Sequence, residues 1–188
     1  IEDGLEATTT ADNDYDVIGL AGAIWASAMT GVGLDPTTGI HAAANSTADL
    51  VARLLACQRA SDGAFLWSAD PVACDPAILA NGDAQVTAYA ILALKAFDPV
   101  TYKPQIARAV AFLRSLQQPS GQILVNPTAL PSAGGSTEVH GEAMHALALS
   151  APAVVYVDDD WAAVAIGVDP DGAGPALRKG YDAFAAIG

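Results

Sequence analysis

The chain has 188 residues, enough for one domain with a sizeable core and short for two. Hydrophobic residues make up 52%, aromatics only 6% and charged residues 15%, which excludes disorder over most of the length. The formal net charge of −13 repels phosphate backbones and anionic headgroups, so nucleic-acid binding and docking on a membrane surface are excluded as partner classes.

Alanine supplies about a fifth of the chain. It is the best helix former and buries little area, so the expectation is an all-α fold of closely packed helices. Ile1 to Asp14 is polar, acidic and threonine-rich and reads as a flexible linker or tail, followed by a helical domain over 15–188. The uncharged run Val17–Leu34 is interrupted by Gly19, Gly22, Gly31 and Gly33 and has no flanking lysine or arginine. It reads as a buried helix followed by a loop, not a membrane span.

Three segments share one pattern: Asp16–Trp25, Gln85–Leu94 and Glu138–Leu147. Each opens with a polar residue and a valine and then runs on through small and apolar residues. A helix apolar around its circumference is expected to be buried on nearly all sides. Each is followed by a helix with a one-sided stripe. In the first copy this is Thr47–Gln58, with Leu50, Leu54 and Leu55 inward, and Ser46 or Thr47 as the N-cap in preference to a glycosylated Asn45. In the second the stripe is Ile106, Val110, Leu113 and Leu116; in the third an outer helix starts near Pro175 and runs through Phe184. The expected organisation is three α-α hairpins, at about 15–68, 83–123 and 136–188, forming an arc or part of an α/α toroid.

The turn after an outer helix carries the most specific signal. The second copy reads Gln117-Gln118-Pro119-Ser120-Gly121-Gln122-Ile123, and the first has Gln58, Gly63 and Phe65 in corresponding places. Glycine suits the left-handed conformation that ends a helix, and a glutamine amide bonds orphan backbone groups there. With Arg108 to Ile123 as its best copy, the chain resembles the superfamily of squalene–hopene cyclases and protein prenyltransferases, whose repeats carry this glutamine–glycine–aromatic turn on an α-α toroid. The resemblance covers nearly all of the chain after Tyr15. Such toroids usually have five to seven hairpins, so the resemblance implies that neighbouring segments are missing from the chain, that the module is an open arc, or that it completes itself with a partner, by self-association or with toroid segments in trans.

The chemistry of that superfamily is not retained. The acidic run Asp158-Asp159-Asp160 has Tyr156 where a catalytic Asp-x-Asp-Asp motif needs its first aspartate, and reads as a capping loop. The zinc set of prenyltransferases is represented by His140 alone, and three or four ligands must converge. Glu138, Glu142 and His145 have helical metal-motif spacing once, where a di-iron centre needs it twice. Asp12–Asp16 and Asp169–Gly172 lack a full calcium-ligand series. No cofactor and no metal are therefore expected. The candidate ligand-binding residues, at the starts of the inner helices, are Asp16, Gln85, Thr87, Glu138, His140 and Glu142.

Cys57 and Cys74 have sixteen residues between them and are either a disulfide or two small apolar residues. Acidic composition, few lysines and a first residue Ile1 lead to the expectation of a processed piece of an extracellular or cell-surface protein. The function expected is non-catalytic binding or assembly, with a protein or small molecule as partner. The alternatives are a fragment of an isoprenoid cyclase or prenyltransferase, and a small-ligand carrier of the cobalamin-binding type.

Overall fold

The computed structural model describes Leu5, residues 16–66, 82–129 and 137–150, and the pairs 156–157 and 183–184. Five helices are present among them: α1 (Asp16–Thr30), α2 (Thr47–Ala56), α3 (Ala84–Phe97), α4 (Lys103–Ser115) and α5 (Thr137–Ser150). No helix among the described residues is long and apolar enough to cross a membrane.

Local chemistry sets the helix starts. Ser46 caps α2, its Oγ accepting the Asp49 amide at 3.2 Å, while the Asp49 carboxylate accepts the Asn45 amide at 3.1 Å. Asp83 caps α3, its Oδ1 accepting the Val86 amide at 3.0 Å. Pro104 opens α4, where its missing N–H costs nothing.

Helix α3 is the centre of the fold, with α1 and α5 packed on it, α2 against α1, and α4 against α3 and α5. The shared pattern explains how. Val17, Val86 and Val139 occupy one corresponding position; Ala21, Ala90 and Ala143 lie four residues on; Ile24, Ala93 and Ala146 lie three beyond that. All nine are buried. Spacing i, i+4, i+7 is one helix face, and alanines on it let the axes approach closely.

Burial all round, expected of all three inner helices, holds for α3 alone. Helices α1 and α5 each leave a face in solvent, at Gly19 and Met29 on one and at Gly141, Met144, His145, Ala148 and Leu149 on the other. Only α3 has an inner helix on either side among the described residues. Leu5, within the stretch read as a tail, is helical, 4% exposed and part of the core.

The turns after α2 and α4 repeat one backbone design. Gln58 bridges Phe65 and Gln117 bridges Ile123, each as an isolated antiparallel pair. The next residues along follow suit, Leu66 N–H donating to the Cys57 carbonyl at 3.3 Å and Leu124 N–H to the Leu116 carbonyl at 3.1 Å. Gly63 and Gly121 have φ of 83° and 87°, the left-handed region expected of them.

By its contacts the chain divides after Ser150 into two compact units. In the second, β1 (Tyr156–Val157) pairs in parallel with β2 (Ala183–Phe184), Tyr156 opposite Ala183. This corrects the expected third outer helix at its C-terminal end: Ala183 and Phe184 satisfy backbone groups in a ladder, not in a helix. The glycines at 180 and 188 flank this pair and weaken a helix there. Cys74, Asp158–Asp160 and Asp169–Gly172 lie outside the described residues.

Candidate functional site

The two conserved-geometry turns are each clasped by the first turn of an inner helix. The Phe65 amide donates to Thr87 Oγ1 at 2.9 Å, and the Ile123 amide donates to His140 Nδ1 at 3.3 Å. Thr87 and His140 hold the same place in the repeat, two residues after the opening polar residue. Thr87 is wholly buried, and its hydroxyl also donates to the Asp83 carbonyl at 2.6 Å. Both functions of the oxygen are thus used inside the fold, so Thr87 acts structurally and does not line an open site. His140 is half-buried and borders a cleft of about 420 Å³ with Ser120, Gly121, Gln122 and Thr137. Since Nδ1 accepts, the neutral ring carries its proton on Nε2.

A second group of side chains gathers where α1, α3 and α5 meet. The Trp25 ring stands edge-on to Tyr89 at 6.1 Å and to His145 at 6.3 Å between centroids. Those distances and angles suit edge-to-face aromatic contact. Burial raises the Tyr89 phenol above its ordinary range, and a hydrogen bond to Glu142 with the charges of Glu142 and Glu138 adds to this. Burial likewise raises the Asp83 carboxyl, opposed by the Val86 and Gln85 amides that it caps and reinforced by repulsion from Glu142. Among the described residues, Glu142 Oε2 itself is buried and has no hydrogen-bond partner. The charges acting on Asp83 and Tyr89 are those of the Glu142 and Glu138 carboxyl groups, so acidic and aromatic side chains share the cluster.

The sequence candidates are distributed unevenly over these two places. Glu142 and Glu138 belong to the aromatic cluster, the latter exposed; His140 belongs to the cleft. Gln85 is half-buried in the first turn of α3, and Asp16 starts α1, its side chain outside the described residues. No group of three or more metal-ligating side chains converges among the described residues. Trp25, Tyr89 and Asp83 were not among the candidates. A helical signal for Tyr89 existed, because it lies one turn after Gln85 as Glu142 lies one turn after Glu138.

The motif residues Gln58, Gly63, Phe65, Gln117 and Gly121 serve the turns. Gln58 Nε2 donates to the carbonyls of Gly63 at 3.1 Å and Gln105 at 2.9 Å, and its Oε1 accepts from Arg108 at 2.9 Å. Gln117 is exposed and makes no side-chain hydrogen bond among the described residues. Beside Gln58, Arg59 Nε donates to Asp62 at 2.9 Å, and this hydrogen bond lowers the Asp62 carboxyl below its ordinary range. Cys57 is disulfide-bonded, and Cys74 is the other cysteine of the sequence.

No family model, curated protein or solved structure matches the chain.

Proposed function

We propose that this chain is a non-catalytic binding or assembly module of an extracellular or cell-surface protein, built from α-α hairpins of the toroid type. Its ligand face is the Trp25–Tyr89–Glu142 cluster, and the ligand it suits is a small molecule or side chain bearing a positive charge. The observation that carries this reading is the buried Glu142 Oε2, without a hydrogen-bond partner among the described residues, in a carboxylate that acts on the Tyr89 phenol. A buried carboxylate oxygen without a donor is costly, and a cation set against it and the aromatic faces offsets that cost. The twin turns support the toroid-type scaffold through the residues on which the resemblance rests.

The test is a titration of the whole chain with a quaternary ammonium ion and with its uncharged carbon isostere, followed by NMR at the Trp25 indole and the Tyr89 ring. The ammonium ion should shift both signals saturably, the isostere should not, and Glu142→Gln should abolish the difference. No saturable shift up to about 10 mM, well above a weak millimolar affinity, would remove the reading.

A further inference from the structure

The two turns differ in one chemical respect: the acceptor that holds the first cannot titrate near neutrality, and the acceptor that holds the second can. Thr87 Oγ1 accepts the Phe65 amide in either acid or base. His140 Nδ1 accepts the Ile123 amide only while the imidazole is neutral, because protonation places an N–H on that nitrogen. We propose that His140 is a pH-operated latch, holding the 118–123 turn against α5 when neutral and releasing it when protonated.

The consequences follow from what the turn covers. An imidazolium at His140 sets two donors against each other, and the Ile123 amide loses its acceptor beside a fully buried side chain. The other bonds of the turn are Gln118 N–H to the Gln122 carbonyl at 2.7 Å, Gly121 N–H to the Gln118 carbonyl at 2.8 Å and Leu124 N–H to the Leu116 carbonyl at 3.1 Å. With the long Gln122 N–H to Ser120 Oγ contact at 3.4 Å, all lie within 116–124, so His140 supplies the turn's hydrogen bond to α5. Loss of the His140 contact loosens the turn over Ile123 and Leu124, which belong to the buried core. The cleft of about 420 Å³ admits the water that would carry the proton.

Among the described residues, the neighbours of His140 set no competing switch in the cleft. Ser120, Gly121, Gln122 and Thr137, which line it, do not titrate in this range. Glu138, Glu142 and His145 lie on α5 itself, Asp83 and Tyr89 on α3, and Arg114 in the last turn of α4. The charges that act on Asp83 and Tyr89 are those of Glu142 and Glu138, not of His140. Because the closed turn requires the neutral ring, acidification favours the open one.

Amide hydrogen exchange of the whole chain, corrected for intrinsic rates, tests this between about pH 8 and pH 5.5, the interval in which imidazoles change charge. Protection of the Ile123 amide should fall about tenfold or more on acidification, while the Phe65 amide on Thr87 stays constant as an internal reference. His140→Thr installs the acceptor of the first turn and should keep Ile123 protected at both values. His41 and His145 remain in that variant, so loss arising from them would persist. Constant protection of Ile123 in the native chain, or an equal loss in the His140→Thr protein, overturns the proposal. The native comparison of Ile123 with Phe65 stands even if the variant does not fold.

Discussion

Gln58 and Arg108 are fifty residues apart in the chain and hydrogen-bonded to each other, Arg108 Nη2 donating to Gln58 Oε1 at 2.9 Å. The same amide donates through Nε2 to the Gln105 carbonyl, so one side chain closes the first turn and ties it to the first turns of α4. The first turn and α4 are joined there by polar contacts whose loss leaves the Gly63 carbonyl without its donor.

Gln58→Leu should accordingly cost about 1–3 kcal/mol, from lost hydrogen bonds and a newly unsatisfied Gly63 carbonyl. Gln117→Leu should change stability by about 0.5 kcal/mol or less, as usual for an exposed side chain without partners. Urea melts of both variants, with unchanged m-values, measure the contrast. Equal effects would mean that the amide contacts of Gln58 contribute nothing beyond those of any surface residue.

The motif glutamines show what could be read before folding and what could not. The alignment of Asp16–Trp25, Gln85–Leu94 and Glu138–Leu147 held the information for close helix packing, since its valines and alanines fall on one helical face. The turn glycines were legible for the same reason: positive φ is a local demand. Unequal partners are another matter. Gln58 meets Gln105 and Arg108 because α4 passes beside the first turn, and nothing near Gln117 in sequence says what passes beside the second. The aromatic cluster was opaque likewise, because Trp25, Tyr89 and His145 belong to three different helices and meet only through their packing. The end of the chain misled for a local reason. Ala183 and Phe184 suit a helix by composition, but pairing with Tyr156 and Val157 is a long-range event.

The disulfide can be checked chemically. With Cys57 bonded and Cys74 the other cysteine of the sequence, mass spectrometry of the untreated protein should find no alkylatable thiol. Reduction should lower the melting temperature, since closing a sixteen-residue loop contributes about 3 kcal/mol on the chain-entropy view. Two alkylated thiols in the native protein would exclude the bridge.

Asp83 makes a pH prediction opposite in sign to that of an ion-paired carboxylate. Burial raises its folded-state pKa above the unfolded value, so the native state binds the proton more readily. Between those two values stability falls as pH rises, and above both the full cost of the buried charge is present. Asp83→Asn keeps an N-cap oxygen and removes the charge. The variant should match or exceed the native urea midpoint near neutral pH, and its advantage should shrink as the pH is lowered toward about 4. Asp62, lowered by its hydrogen bond from Arg59, should behave in the reverse sense, contributing above the unfolded carboxylate range and losing that contribution as pH falls. An Asp83→Asn protein whose relative stability improves on acidification would contradict the sign.

The turn glycines separate two costs that usually coincide. At Gly121 a Cβ meets nothing within 4 Å, so the whole effect of a substitution there is the left-handed backbone at φ 87°. Gly121→Ala should therefore cost about 1–2 kcal/mol, and Gly121→Val somewhat more because a β-branched side chain tolerates that region worst. At Gly63 the backbone is equally left-handed, but a Cβ would also lie 2.6 Å from the backbone carbon and carbonyl oxygen of Arg108. Backbone atoms of a helix cannot swing aside as a side-chain end can, so the turn must lift off α4 and break the Gln58 contacts with it. Gly63→Ala should then cost more than Gly121→Ala by at least about 1–2 kcal/mol, in line with overpacking a tight contact. Urea melts of the two alanine variants read the difference directly, and a Gly63→Ala protein no less stable than Gly121→Ala would show that the first turn does not seat on Arg108.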